Sequence, residues 1–325
     1  MNGSVLPEIV SMGEVLVELN AVTRGPVRHV SQFEKHAAGA EGNVAIGTSR
    51  LGISSGIITR VGDDEFGKFL LSTLRSENVD TSNVAIDKEV PTGIFFVQRG
   101  YPIPNKSEIF YYRHGSAGSK LNPQDVNIDY VQSAKIFHVT GITPALSETA
   151  KQATIHAIQR AKEHKVKISF DTNVRRKLWN NDHACKVLKP LCESADIIFT
   201  SPSDAKIIFN TEDPKSIAKM LHDCGVRTVV VKLGDKGSFA SSNGEIAVQS
   251  VIPAIVEDPT GAGDAFAATF LATHLRGWKL TESLKAATAT AALVVTVRGD
   301  FENIPDLNSL KTFLDSEQGK TEYLR

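Results

Sequence analysis

Cysteine is scarce: Cys185, Cys192 and Cys224 are the only three in 325 residues, with no Cys-x-x-Cys pair and no histidine grouping at zinc spacing. Neither a disulfide framework nor a structural zinc site can be built from them, and a reducing cytoplasm fits. An excess of one charge is also missing, since 36 basic side chains face 37 acidic ones and leave a formal net charge of -1. Nothing in that balance favours nucleic acid or an anionic membrane surface. No apolar run reaches the ~18 residues of a membrane span. Met1–Met12 lacks the basic stretch followed by an apolar run that marks a secretion signal. The expectation is a soluble, unprocessed, cytoplasmic protein. Two nucleotide fingerprints are absent as well: no Gly-x-x-x-x-Gly-Lys-Ser/Thr loop, and no Gly-x-Gly-x-x-Gly after the first strand.

What is present reads as α/β. Buried-strand candidates at 136–140, 166–171, 196–200 and 228–233 alternate with helical stretches such as 147–164 and 182–194. That rhythm predicts a central, mostly parallel sheet covered by helices on both faces. Further strands are expected within 9–19 and at 55–61, with a helix over 43–51 between them. Helices are also expected at 263–276, 281–297 and 307–316. Two segments break the rhythm, 15–33 and 84–112, the second with a hairpin of 92–98 and 107–112 around Gly100–Pro104. They are expected to pair into a small second sheet. No repeat, low-complexity tract or interdomain linker interrupts 1–325, so one domain is expected.

The chemistry concentrates in Glu257-Asp258-Pro259-Thr260-Gly261-Ala262-Gly263-Asp264. Glycines on either side of Ala262, just before a helix, present bare backbone N–H groups where an anion can approach closely. Asp264 then stands in the first turn, placed to take a proton from a hydroxyl while the amides stabilise phosphoryl charge. The same residues also suit a tight turn with an acid complementing the helix dipole. Lys232-Leu233-Gly234-Asp235-Lys236-Gly237-Ser238 follows a strand, where α/β sheets bind ligands, though taken alone it reads more readily as a plain turn between strands.

Together with Ala38-Gly39-Ala40-Glu41-Gly42-Asn43-Val44-Ala45 and Val61-Gly62-Asp63-Asp64-Glu65-Phe66-Gly67, these segments resemble the ribokinase, or PfkB, family of carbohydrate kinases over nearly the full length. The branch most similar is the archaeal-type 2-keto-3-deoxygluconate kinases, through 98–104, 111–119, 171–179 and 296–300. The resemblance implies a ribokinase-like α/β fold whose small sheet, about 15–33 and 84–112, acts as a lid. It also implies ATP and Mg²⁺, and phosphorylation of 2-keto-3-deoxygluconate, with its galactonate epimer as a further substrate, at the 6-hydroxyl in Entner–Doudoroff-type sugar acid catabolism. The outer face of the small sheet needs cover, so a homo-oligomer is expected.

By the same resemblance Asp264 is the catalytic base, with Gly261, Ala262 and Gly263 as anion hole. Gly39, Phe95, Tyr111, Tyr112, Arg113, Arg175, Asp264 and Asp300 contact the sugar acid. Asn173, Val174, Arg175, Val231, Lys232, Leu233, Gly234, Asp235, Lys236 and Gly261 to Asp264 contact ATP. Two departures stand out: Pro259 in place of a common threonine, and Ser201-Pro202-Ser203-Asp204 where the family has Asn-x-x-Glu to organise water around magnesium. The metal's protein environment therefore stays unassigned.

A sugar acid brings a carboxylate that a planar guanidinium can hold with two hydrogen bonds, which singles out Arg113 and Arg175. Strand alternation sets Tyr111 and Arg113 on one face. Each arginine also reads as an ordinary surface or loop residue, and Asp300 as a partner of Arg298. A fructokinase, or a non-catalytic sensor that kept the fold, remain alternative readings.

Overall fold

The computed structural model describes residues 6–104 and 106–316; the first five residues of the N-terminal stretch read above lie outside them. Five strands form the heart of a ten-stranded sheet: Thr228–Lys232, Ile197–Thr200, Lys167–Asp171, Ile136–Thr140 and Ile9–Met12, in that spatial order. They run parallel, followed by Ser55–Gly62 and Val79–Asp80 on one side. On the other side, Ser238–Ser242 and Glu245–Gln249 add an antiparallel hairpin. Such strands read as continuous apolar runs because helices cover both faces, and Ile136–Thr140 is buried at all five positions.

One face packs on helices Glu148–Glu163, Asn181–Glu193, Pro202–Phe209 and Pro214–Asp223, through Phe137, Phe170, Ile198 and Val229. The other packs on Ala40–Arg50, Ala262–Leu275, Leu280–Val294 and Leu307–Ser316, through Ile9, Phe199, Phe266 and Phe270. The helix Ala262–Leu275 is apolar nearly all round, as a helix caught between a sheet and other helices must be.

A separate four-stranded sheet runs Phe33–Ala38, Leu16–Ala21, Ile94–Arg99, Ser107–Tyr112. The expected pairing of distant segments is present, with altered limits. Val84–Asp87 pairs instead with Ser55–Gly62 in the large sheet, and the first segment extends to Ala38. The stretch 9–19 is two strands, one in each sheet, because the chain crosses between them at Gly13–Val15.

The chain recrosses at Gly39, and the two crossings touch. A Cβ on Gly39, whose φ is +126°, would lie 2.4 Å from the Glu14 carbonyl oxygen. A Cβ on Gly13 would lie 2.2 Å from the Glu41 carboxyl carbon. Glycine is required at both because backbone packs on backbone or on a buried acid, whose Oε1 accepts from Thr140 Oγ1 and Thr143 Oγ1 at 2.8 and 2.7 Å. This junction sets the small sheet over the ends of the large sheet's strands.

Candidate active site

Gly261 opens the helix Ala262–Leu275 with φ +75°, and a Cβ there would sit 1.9 Å from the Asp300 carbonyl oxygen. Only glycine fits, so the first-turn N–H groups of Ala262 and Gly263 stay open to an anion. Lys232, at the end of its strand, brings its Nζ within 3.4 Å of where a Gly263 Cβ would lie. That ammonium and the helix N-terminus together form a positively charged bay. Lys232 Nζ is held at 2.5 Å by Asp171 Oδ2. Burial pushes the Asp171 carboxyl up to about 6, with the ammonium of Lys232 opposing and the charges of Asp264 and Asp204 adding to the rise. Its other oxygen, Oδ1, is buried with no hydrogen-bond partner.

Asp264 stands in the first turn, 7% exposed. Asn43 Nδ2 donates to its Oδ2 at 2.9 Å, and Asn173 Nδ2 lies 3.4 Å from Oδ1. The Asn43 amide also donates to Asp300 Oδ2 at 2.9 Å, so one side chain aims two acids into the same space. An acid carboxylate held by amide donors, within reach of an anion bay, is equipped to accept a proton from a hydroxyl.

The space in front of it is a narrow cavity of about 50 Å³, lined by Gly39, Phe95, Tyr111, Arg113, Arg175, Gly261, Asp264 and Asp300. Phe95 and Tyr111 form one wall, with ring centroids 5.5 Å apart, and the Arg113 guanidinium lies over the Tyr111 ring at 5.3 Å. Arg113 is committed to a partner that sequence reasoning did not single out: its Nε donates to Glu14 Oε2 at 2.7 Å, and an Nη is ion-paired with the same oxygen. Ser116 Oγ donates to the other oxygen of Glu14. Arg175 is exposed at the rim.

The remaining expected contact residues lie around this centre or on the surface. Tyr112 alternates away from Tyr111 and is 67% exposed on the outer face, edge-on to Phe96. The Val231 side chain is buried in the core, so only its backbone faces the bay side. Asp235 and Lys236 are exposed on the turn Gly234–Lys236. Asn173 sits in the left-handed region at φ +33°, and the Val174 N–H donates to Asp204 Oδ2 at 3.2 Å. That carboxylate also accepts from Thr172 Oγ1 at 2.8 Å, and Ser201 caps the helix at Asp204 N. Ser201–Asp204 thus braces the loop 172–174.

Sequence reasoning gave no site role to Glu14, Glu18, Asn20 or Asn43, although Asn43 stands within the family-like segment Ala38–Ala45. Their signal was present as polar residues breaking otherwise apolar strands or opening a helix, with Glu18 and Asn20 spaced to share one strand face.

Comparisons with known proteins agree with this geometry. The pfkB family carbohydrate kinase model matches residues 6–307. A 2-dehydro-3-deoxygluconokinase of Thermoproteus tenax is 44% identical over 299 residues, 91% of each chain. A 2-dehydro-3-deoxygalactonokinase of Haloferax volcanii is 31% identical over 295 residues, covering 90% of this chain and 92% of its own. Among solved structures, a candidate ribokinase II of E. coli in complex with ATP and Mg²⁺ superimposes with a TM-score of 0.90 at 28% identity. That match covers 96% of this chain and 100% of the other.

Proposed function

The chain belongs to the pfkB family of carbohydrate kinases, and we propose that it transfers the γ-phosphoryl group of ATP to the 6-hydroxyl of 2-keto-3-deoxygluconate (2-dehydro-3-deoxygluconate). The product is the 6-phospho-2-keto-3-deoxy acid. The observation that carries this reading is the meeting of Asp264, the Gly261–Gly263 helix start and the Arg113 guanidinium at one cavity. Relatives named for the gluconate and galactonate compounds favour acceptance of both epimers.

In this reading Asp264 takes the proton of the attacking hydroxyl. The amides of Ala262 and Gly263, with Lys232, face the phosphoryl group as it moves between oxygens. Arg113, oriented by Glu14, and Arg175 at the rim face the carboxylate end. Phe95 and Tyr111 exclude water from the carbon chain. A cavity of about 50 Å³ has room for a few water molecules. The small sheet therefore acts as a lid that opens to admit a six-carbon acid. In the closed position Arg99 is ion-paired with Glu257, and Arg298 donates to Glu34 at 2.9 Å, each pair joining lid to body.

Magnesium, arriving with the nucleotide, would neutralise phosphate charge, and it keeps most of its waters when held by one or two carboxylates. Among the described residues no group of three or more acidic, His or Cys side chains is placed to hold a metal alone. Asp171, with its bare buried Oδ1 beside Lys232, fits that limited role, whereas Asp204 is occupied by its own loop.

The outer lid face carries Phe33, Phe96 and Tyr112 in edge-to-face contact. Their partial exposure supports a homo-oligomer that covers this face. Among the described residues no helix is long and apolar enough to cross a membrane.

A panel of sugars and sugar acids in a coupled ADP-release assay tests the reading. The expected result is the highest kcat/KM with 2-keto-3-deoxygluconate, and replacing Arg113 by Leu should cost that substrate roughly 100-fold while hardly moving a neutral sugar. Preference for fructose or ribose would reject the sugar acid and support a fructokinase-like acceptor.

A further inference from the structure

One carboxyl beside the site has no part in the reaction as described. Glu18 lies on the lid strand Leu16–Ala21, fully buried, opposite His36 on one neighbouring strand and Phe95 on the other. Asn20 Nδ2 donates to its Oε1 at 2.6 Å and to Asp258 Oδ2 at 2.8 Å. The Glu18 and Asp300 carboxyls face one another across the seam between lid and body. Yet Glu18 Oε2 and Asp300 Oδ1 are both buried with no donor. Two ionised carboxylates repel one another where no donor lies between them. Two acids in this position share a proton, as like charges at close range forbid both from ionising.

We propose that Glu18 is a positioning residue for phosphoryl transfer, which shares one proton with Asp300 and so fixes Asp300, and through Asn43 the base Asp264, when the lid is closed. The proton lies on the lid side of a continuous chain: Glu18 to Asp300, Asp300 to the Asn43 amide, and the same amide to Asp264. A second branch ties Glu18 through Asn20 to Asp258, which also caps Thr260 in the turn before the anion bay. Lid closure and aim of the base are thereby one event. The lid brings the carboxyl group, and the body supplies the acceptor.

The charged surroundings favour retention of the proton. Glu18 meets the charges of Asp258, from the acidic turn, and of Asp300, while Asp300 in turn meets Asp264 from the helix start and Glu302 from the loop after Arg298. His36, across the strand, is bonded to Glu302 at 2.5 Å. Burial first, then the charges of Asp300 and Asp258, raise the Glu18 carboxyl far above its ordinary range. Burial likewise raises Asp300, against the pull of the Asn43 hydrogen bond. When the shared proton leaves at high pH, two buried negative charges repel across the seam and the lid loosens. This consequence for substrate rests on the sugar acid kinase reading; the shared proton itself does not.

The test compares the wild type with Glu18→Gln, whose amide donates to Asp300 at every pH, and Glu18→Leu, which fills the space without a donor. The KM of the wild type for the sugar acid is expected to rise by roughly tenfold between about pH 7 and about pH 10. Glu18→Gln should lose that rise, while Glu18→Leu should show a raised KM throughout, with kcat less affected. The thermal midpoint supplies a readout that needs no turnover. Glu18 has a folded pKa above its unfolded value of about 4.3, so its contribution to stability is complete below that value and is lost as pH rises toward the folded one. The midpoint of Glu18→Gln relative to the wild type should therefore climb steadily from about pH 5 to about pH 9. A constant or shrinking gap, an unchanged alkaline rise in Glu18→Gln, or equal behaviour of Gln and Leu would overturn the proposal. If the protein does not phosphorylate the sugar acid at all, the function reading fails while the thermal comparison still decides the shared proton.

Discussion

Replacing Asp264 by Asn is expected to lower kcat by roughly 10²- to 10⁴-fold, the range general base catalysis supplies. The dissociation constant of the sugar acid should move only a few-fold. The substitution keeps the size of the side chain and an acceptor oxygen for the Asn43 amide, which now donates to Asp264 Oδ2 at 2.9 Å. What disappears is the ability to take a proton at an atom facing the cavity. Because Gly261–Gly263 and Lys232 are untouched, the anion bay should still bind nucleotide. Single-turnover kinetics separate the two effects, since a loss confined to the chemical step is the signature of an interaction made only in the transition state. Turnover within a few-fold of the wild type would remove Asp264 as the base and leave it a helix-dipole partner. Retained binding without turnover in the wild type would instead favour a sensor.

Glu14→Ala should produce the largest loss of stability among the site residues. Arg113 is 8% exposed and Glu14 2% exposed, and the guanidinium is tied to this carboxylate through two of its nitrogens. Removing one partner of a buried ion pair leaves the other charge uncompensated, at a cost of about 3–5 kcal/mol. Ser116 Oγ would lose its acceptor as well. The cost should appear as a lower urea midpoint with an unchanged slope. Glu14→Gln keeps an acceptor and should lose distinctly less. In the double variant Glu14→Ala with Arg113→Leu, the penalty should be largely relieved, as the buried charge is gone. A loss below about 1 kcal/mol in Glu14→Ala would mean that water reaches the pair, and the guanidinium would then be free to turn toward a substrate without help from Glu14.

The parallel core was legible from the alternation of short apolar runs with helical stretches. Ile136–Thr140 and Thr228–Lys232 are short apolar runs bounded by polar turns, and they emerge as buried central strands within a residue of their expected limits. The hairpin of the small sheet was equally plain, since both arms flank Gly100–Pro104. The helix Glu65–Ser76 was not singled out, although Asp64 caps it by accepting from Gly67 N at 2.7 Å. Its sequence served instead as part of a family-like segment. Val84–Asp87 went to the wrong sheet in the sequence reading because its four residues suit either, and only the neighbouring strand Ser55–Gly62 decides. The split of 9–19 was hidden for a related reason. Gly13 reads locally as a weak point in one strand, whereas its true constraint is the Glu41 carboxyl pressed against it.

The turn Asp258–Asp264 shows where the two kinds of information part. Sequence by itself determined that this turn opens a helix with bare amides and an acid in its first turn, because glycine placement and helix-start chemistry are local. It also determined the kinase family, through motifs at both ends of the chain. Tertiary structure decided which groups surround that acid. Asn43 and Asp300 are each distant from it or from one another in sequence, yet a single amide bridges Asp264 and Asp300. Arg113 acquires its orientation from Glu14, 99 residues away, and Glu18 faces Asp300 only where the small sheet meets the large one. Those relations depend on the way in which two sheets pack around Gly13 and Gly39, and no local pattern encodes a distance across that seam.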